Sequence, residues 1–281
     1  MATGAANAGS ITASTLYFSN AFNYTSDGTQ YHQYSPNGVS ATESGTDPGE
    51  SVASSANIST GTLKMLNNGT VTSGFSVNTA SYASLGDTIT ATGSTAGLNL
   101  GVNLQVDGSA QTDQPAEDDT FLVVAAYAPG VFDSNAYGTP LWAEGFGLGT
   151  DSGGAAPGQS TPGSGIVGVY GITSLTNSYN DGSESIPLNI PFATLPTTFD
   201  LFIAMGSYEV GSDITTWDND YSHTLTVSLS APGGVSLSSA SGVFPTVDGA
   251  APEPSTFALL GMAFVAGLVA LRKKNQRLTA R

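Results

Sequence analysis

The amino-acid sequence predicts an all-β protein, an antiparallel β-sandwich of jelly-roll-like connectivity, followed by a single C-terminal transmembrane helix. Three observations carry this. Charged residues make up 10% of the chain, and Ser, Thr, Asn and Gly fill the gap; these residues compete with helical hydrogen bonding or are costly inside helices. Apolar residues recur with a period of two and with turn residues between the runs. Only near the carboxyl end does an unbroken apolar stretch of helical length occur.

The clearest strand runs from Leu98 to Val106, where Leu98, Leu100, Val102, Leu104 and Val106 alternate with Gly and polar residues. Asp107-Gly108 then reads as a turn. Tyr221–Leu229 places Leu225, Val227 and Leu229 on one side, and Pro232-Gly233-Gly234 turns the chain into Val235-Ser236-Leu237. Phe121–Tyr127 is apolar throughout, as expected of a strand buried on both faces. Further strands are expected at 15–19, 62–66, 70–77, 87–92, 166–173, 186–192 and 199–205. Residues 107–119 read as an acidic loop and 147–165 as a flexible insertion. Hydrophobic residues, 40% of the chain, suffice for a packed core.

Charge is distributed unevenly. Residues 1–250 contain Lys64 as their one base against 21 Asp and Glu, whereas Arg272, Lys273, Lys274, Arg277 and Arg281 crowd the last ten positions. A body without arginine cannot neutralise phosphates, which excludes nucleic acid as a partner and disfavours phosphorylated substrates. The absence of cysteine removes disulfides, thiolate metal sites and cysteine nucleophiles.

The tail organises the rest. Phe257–Leu271 is FALLGMAFVAGLVAL, fifteen residues without a polar side chain. As a helix it spans roughly 22 Å, somewhat short of a ~30 Å hydrocarbon core. Arg272, Lys273 and Lys274 follow at once; long cations snorkel to headgroups, and such clusters mark the cytoplasmic side. Pro252 and Pro254 stop the helix from extending upstream. The expected division is therefore a mobile N-terminus at 1–14, a β-sandwich body at 15–245, a linker at 246–256, a transmembrane helix at 257–271 and a basic cytoplasmic tail at 272–281.

Pro252-Glu253-Pro254-Ser255, then the apolar run, then the basic cluster, resembles the PEP-CTERM sorting signal of exported Gram-negative surface proteins, over residues ~251–274. The resemblance implies that an exosortase, a membrane protease, recognises Pro252, Glu253, Pro254 and Ser255. It also implies processing near that motif and display on the cell surface or release into an exopolysaccharide or biofilm matrix. Two prolines keep the segment extended, as a protease requires. An exported chain needs a leader; Met1–Ala8 shows no basic or apolar region but contains Ala6-Asn7-Ala8, so the expectation is that the true start lies upstream. The same kind of tail has been labelled as part of ice-binding proteins, yet Thr88, Thr90 and Thr92 form no repeating ladder.

Candidate chemistry in the body is sparse. His32 and His223 are the two histidines, and Ser222, next to His223, falls on the opposite face of a regular strand. No catalytic residue is assigned, and the chain is expected not to be an enzyme. Asp118 with Asp119 and Asp218 with Asp220 offer hard oxygens of the kind calcium takes, as weak candidates without a known loop pattern. Trp142 beside Glu144 is the best place for glycan contact. The reading is an exported structural or adhesive protein, with a secreted carbohydrate-binding or carbohydrate-active protein as the alternative.

Overall fold

The computed structural model describes residues 17–71, 77–112, 118–130, 140–148, 177–179, 182–211 and 216–247. The expected strand at 166–173 and the tail at 257–271 lie outside the described residues. No helix among the described residues is long and apolar enough to cross a membrane.

Two sheets face one another. The strands are β1 (Tyr17–Tyr24), β2 (Gln30–Pro36), β3 (Ser40–Asp47), β4 (Glu50–Asn57), β5 (Thr62–Thr70), β6 (Val77–Gly93), β7 (Asn99–Thr112) and β8 (Asp118–Tyr127). They continue with β9 (Trp142–Leu148), β10 (Asn177–Tyr179), β11 (Gly182–Pro191), β12 (Thr198–Gly211), β13 (Thr216–Ser230), β14 (Val235–Ser239) and β15 (Thr246–Val247). One sheet has the order β10-β9-β8-β12-β6-β1-β2, with β14 also on β6; the other has β11-β7-β13-β5-β4-β3, with β15 on β13. Pairing is antiparallel except for β9 with β10 and β13 with β15. From β5 to β8 and from β11 to β14 successive strands alternate between the sheets.

The core follows from the period-two pattern. Leu100, Leu104, Leu225 and Leu229 from one sheet meet Leu85, Ile89, Phe199 and Ile203 from the other, all buried. In β8, Leu122, Val124 and Ala126 join this core, while Phe121, Val123, Ala125 and Tyr127 are buried on the other face. The expectation of a strand buried on both faces therefore holds.

That second face is built around glycines. Phe18 and Phe202 both oppose Gly86 in register, and their rings stack at 6.2 Å. Tyr82 and Phe121 likewise oppose Gly206, with ring centroids 5.9 Å apart. A Cβ at Gly86 would enter the Phe18 ring, and one at Gly206 the Tyr82 ring. The missing side chain on the central strand lets rings from both neighbours close over it. Gly86→Val is expected to cost about 2 kcal/mol or more by overpacking, read as a lower urea midpoint at unchanged slope.

Several expectations change. Asp107-Gly108 is no turn: β7 runs on to Thr112, with Asp107 opposite Ser183 and Gly108 opposite Gly182. The glycine sits there because the Tyr221 ring occupies the space of a side chain. Of the expected acidic loop, residues 107–112 belong to β7 and 118–119 to β8, and 113–117 lie outside the described residues. The expected 70–77 strand divides into the end of β5 and the start of β6. Strand β9 carries the chain to Leu148, one residue beyond the expected start of the insertion. The body's last strand ends at Val247, two residues past the expected boundary.

The C-terminal segment after β14 is held by a buried carboxylate. Ser241 donates its N–H to Asp87 Oδ1 (3.2 Å) and its hydroxyl to Oδ2 (2.5 Å). Burial pushes the Asp87 carboxyl above its ordinary value of 3.8, against the pull of these donors. A carboxyl raised in the fold favours the protonated fold. Its stabilising contribution therefore grows as pH falls from the raised value toward 3.8 and is lost as pH climbs again. Asp87→Asn is expected to flatten that part of the melting-temperature profile between neutral pH and about pH 4.

Candidate functional site

The sorting residues Pro252, Glu253, Pro254 and Ser255 and the cations Arg272, Lys273 and Lys274 lie outside the described residues. The structure shows how the body hands the chain to them. After β14 the chain turns at Gly242, buries Phe244 and lays Thr246–Val247 parallel to Leu229–Ser230. The N–H of Leu229 donates to the Pro245 carbonyl at 3.0 Å. Val247 thus leaves the body along the direction of β13. Five residue steps separate it from Pro252, at most about 18 Å of extended chain.

The calcium candidates are not gathered into one site. Asp118 and Asp119 lie on β8 in one sheet, Asp218 and Asp220 on β13 in the other. Asp218 and Asp220 share the solvent face of β13, because Trp217 and Asn219 between and beside them are buried. Asp220 Oδ1 already accepts the Ser222 N–H at 2.9 Å. Among the described residues no group of three His, Asp or Glu could hold a metal ion. Calcium in excess, or a chelator, is expected to leave the melting temperature unchanged.

His32 Nε2 lies 2.7 Å from Asn20 Oδ1, and its ring meets Phe22 edge-on at 5.8 Å. Burial lowers its pKa, and the Glu43 charge acts in the opposite direction. Its partner is an amide rather than a carboxylate, so the arrangement orients the ring without making it a better base. The side chain of His223 lies outside the described residues. Strand β13 shifts register between Asp220 and Thr224, so the simple alternation expected for Ser222 and His223 does not run through this stretch.

Trp142 is half-buried and packs against the inter-sheet core together with Phe146 and Leu148, two and three turns of the alternation further on β9. Glu144 shares that inward-facing parity. The geometry gives Trp142 a packing role against the core.

A buried polar knot, which no sequence pattern foreshadows, lies at the end of the sandwich remote from Val247. Asn67 of β5 is its centre. Its Oδ1 accepts from the Thr79 hydroxyl (2.9 Å) and from Trp217 Nε1–H (3.0 Å), and its Nδ2 donates to Ser207 Oγ (3.1 Å). Asn219 Nδ2 donates to Ser207 Oγ (2.8 Å) and to Glu209 Oε1 (2.5 Å). Asn67, Thr79, Ser207, Glu209 and Asn219 are all 0% exposed. The residues come from four strands in both sheets, and their spacing in sequence is too wide for any local motif. The knot cross-links the sheets by hydrogen bonds where the core is no longer apolar.

Comparison with known proteins bears on the tail. A family model described as the PEP-CTERM protein-sorting motif matches residues 250–274. The chain thus carries an export-and-sorting signal of that type at its carboxyl end. No curated protein and no solved structure matches the chain.

Proposed function

We propose that this chain is an exported bacterial surface or extracellular-matrix protein with a structural or adhesive, non-enzymatic body of jelly-roll-like connectivity. Residues 257–271 hold it transiently in the cytoplasmic membrane with the body outside and Arg272, Lys273 and Lys274 inside. An exosortase-type protease then reads Pro252-Glu253-Pro254 and frees the body toward the surface or an exopolysaccharide matrix. The observation that carries this reading is the sorting motif at 250–274. The body supports it: β15 holds the chain five residues before Pro252, so the motif follows closely on the folded domain.

A carbohydrate-active body is the weaker reading, because both tryptophans are engaged in packing or in the polar knot. Intact-mass measurement of protein recovered from the cell surface or medium tests the proposal. The expected mass lacks residues 257–281; a mass that retains them makes the tail a plain anchor.

A further inference from the structure

Like 28–42, 65–86 and 152–180, three further stretches of the body contain no Asp, Glu, Lys or Arg: residues 88–106, 185–199 and 221–247. They are far apart in sequence, yet the fold brings them to one end. The first is the crossing from β6 to β7, the second from β11 to β12, and the third from β13 through β14 to β15. The register fixes their meeting: Val235 pairs with Gly93, Gly101 with Ser230, Pro191 with Asn99, and Thr198 with Thr90. Among the described residues the result is a cap of Gly, Ser, Thr, Asn, Pro and apolar residues without charged side chains; Asp133, in the chain between β8 and β9, and Asp248, next to Val247, lie outside the described residues. Asp87 and Asp200 border it, and both are engaged within the body: Asp87 accepts from Ser241, and Asp200 from the Thr88 hydroxyl and the Gly130 N–H.

Acids concentrate at the other end. Asp27 occupies the β1–β2 turn, Asp47 the end of β3, Asp118 the start of β8 and Asp218 the start of β13, while Glu50 and Glu209 at the same end are buried and engaged within the body. Strand β12, with 14 residues, measures the separation: at ~3.3 Å per residue it is about 46 Å long. Val247, the residue from which the tail departs, points out of the uncharged cap, since β15 runs parallel to the end of β13. From there to Phe257 is ten residue steps, at most about 36 Å.

We propose that the uncharged cap is the lipid-facing surface of the anchored protein: the body stands on phosphate-bearing headgroups with its acidic end directed outward. This rests on the anchoring reading above and adds the orientation. Two arguments converge on it. The tether is shorter than the body is long, so the cap is necessarily the end nearest the tail. The charge polarity then selects the upright pose, because tipping the body would bring uncompensated carboxylates against anionic headgroups within a Debye length, about 8–10 Å. Two of the exposed large apolar side chains among the described residues are consistent with this pose: Val39 stands next to the start of β3 and Leu141 next to the start of β9, strand ends that point toward the cap, whereas Val243 lies between β14 and β15.

The absence of cysteine makes the test direct. Single-cysteine variants of the full chain, Ala96→Cys and Gly233→Cys in the cap and Thr46→Cys near the acidic end, would carry a fluorophore. All three positions are exposed. The proteins are reconstituted into phosphatidylglycerol–phosphatidylethanolamine vesicles containing a headgroup nitroxide. Quenching at positions 96 and 233 is expected to exceed that at 46 several-fold, and to do so without any protease present. Equal quenching at both ends overturns the orientation. Leu260→Cys with a mid-chain nitroxide reports on the tail separately. If that label is not quenched, the anchoring reading fails and the orientation with it; if it is quenched while 46 and 233 are alike, the orientation alone fails. Quenching of the cap label that needs added exosortase would assign the cap to the protease and overturn the lipid contact.

Discussion

Asn67→Ala is expected to lower the melting temperature of the body by on the order of 10 °C, more than any other single polar substitution in the sandwich. The side chain serves three partners at once: the hydroxyl of Thr79, the indole N–H of Trp217 and the hydroxyl of Ser207. All are buried with it, so truncation strips the Thr79 hydroxyl and the Trp217 indole of their shared acceptor and opens a void inside the sandwich, while Ser207 Oγ keeps the Asn219 donor. Water admitted to that void restores part of the bonding. Each buried group deprived of its hydrogen bond costs about 1–3 kcal/mol, so the two donors together with the void amount to roughly 3–5 kcal/mol after this partial recovery. For a domain of this size each 1 kcal/mol is worth about 2–4 °C. Trp217→Phe is the informative companion. It removes a single donor to Asn67 and keeps a ring over Gly69, which Trp217 opposes in register. Its expected loss is about 1–2 kcal/mol. Equal losses for the two variants in calorimetry would mean that ring packing, and not the amide, holds the knot together.

The apolar half of the fold was legible in the sequence because its strands obey one rule. Leu100, Val102 and Leu104 alternate with Asn, Gly and Asn, and the structure buries the first set and exposes or half-exposes the second. The strands that escaped are β2, β3, β4, β9, β10 and β15. Strand β4 alternates as faithfully as β7, but its inward residues are Glu50, Val52, Ser54 and Ala56. A period of two written in small and polar residues is invisible to a reading that looks for large apolar ones. Those residues face inward because they close the sandwich beside the polar knot: Glu50 accepts the Ser26 N–H, and Asn23 Nδ2 donates to the Glu43 carbonyl. The Asp107-Gly108 turn that did not form has a different origin. The pair is a strong turn signal when nothing else needs the space, and here a tyrosine ring from the neighbouring strand needs it. In each case the missing information was the identity of a residue on another strand.

The same distinction separates the two parts of the functional reading. The tail is legible because its parts are contiguous: proline-flanked glutamate, apolar run, cations. Nothing in the body has to fold for it to be read, by a protease or by inspection. The substitution with the largest expected functional effect follows. Replacing Pro252, Glu253 and Pro254 together by alanine is expected to abolish processing while leaving the melting temperature of the body unchanged. The three alanines favour helix by about 3 kcal/mol per replaced proline, so the apolar helix can extend back toward Val247 and remove the extended segment a protease would bind. Loss of Glu253 also removes the one charge between Asp248 and Arg272. The protein would accumulate in the membrane fraction at the mass of the unprocessed tail. Glu253→Gln alone divides the causes, since it keeps both prolines and removes only the charge. Full processing of Glu253→Gln with none of the triple variant would assign recognition to the extended backbone; failure of both would assign it to the carboxylate. Normal processing of the triple variant would remove the motif from the mechanism, and with it the reason for placing a cleavage site so close to the last strand of the body.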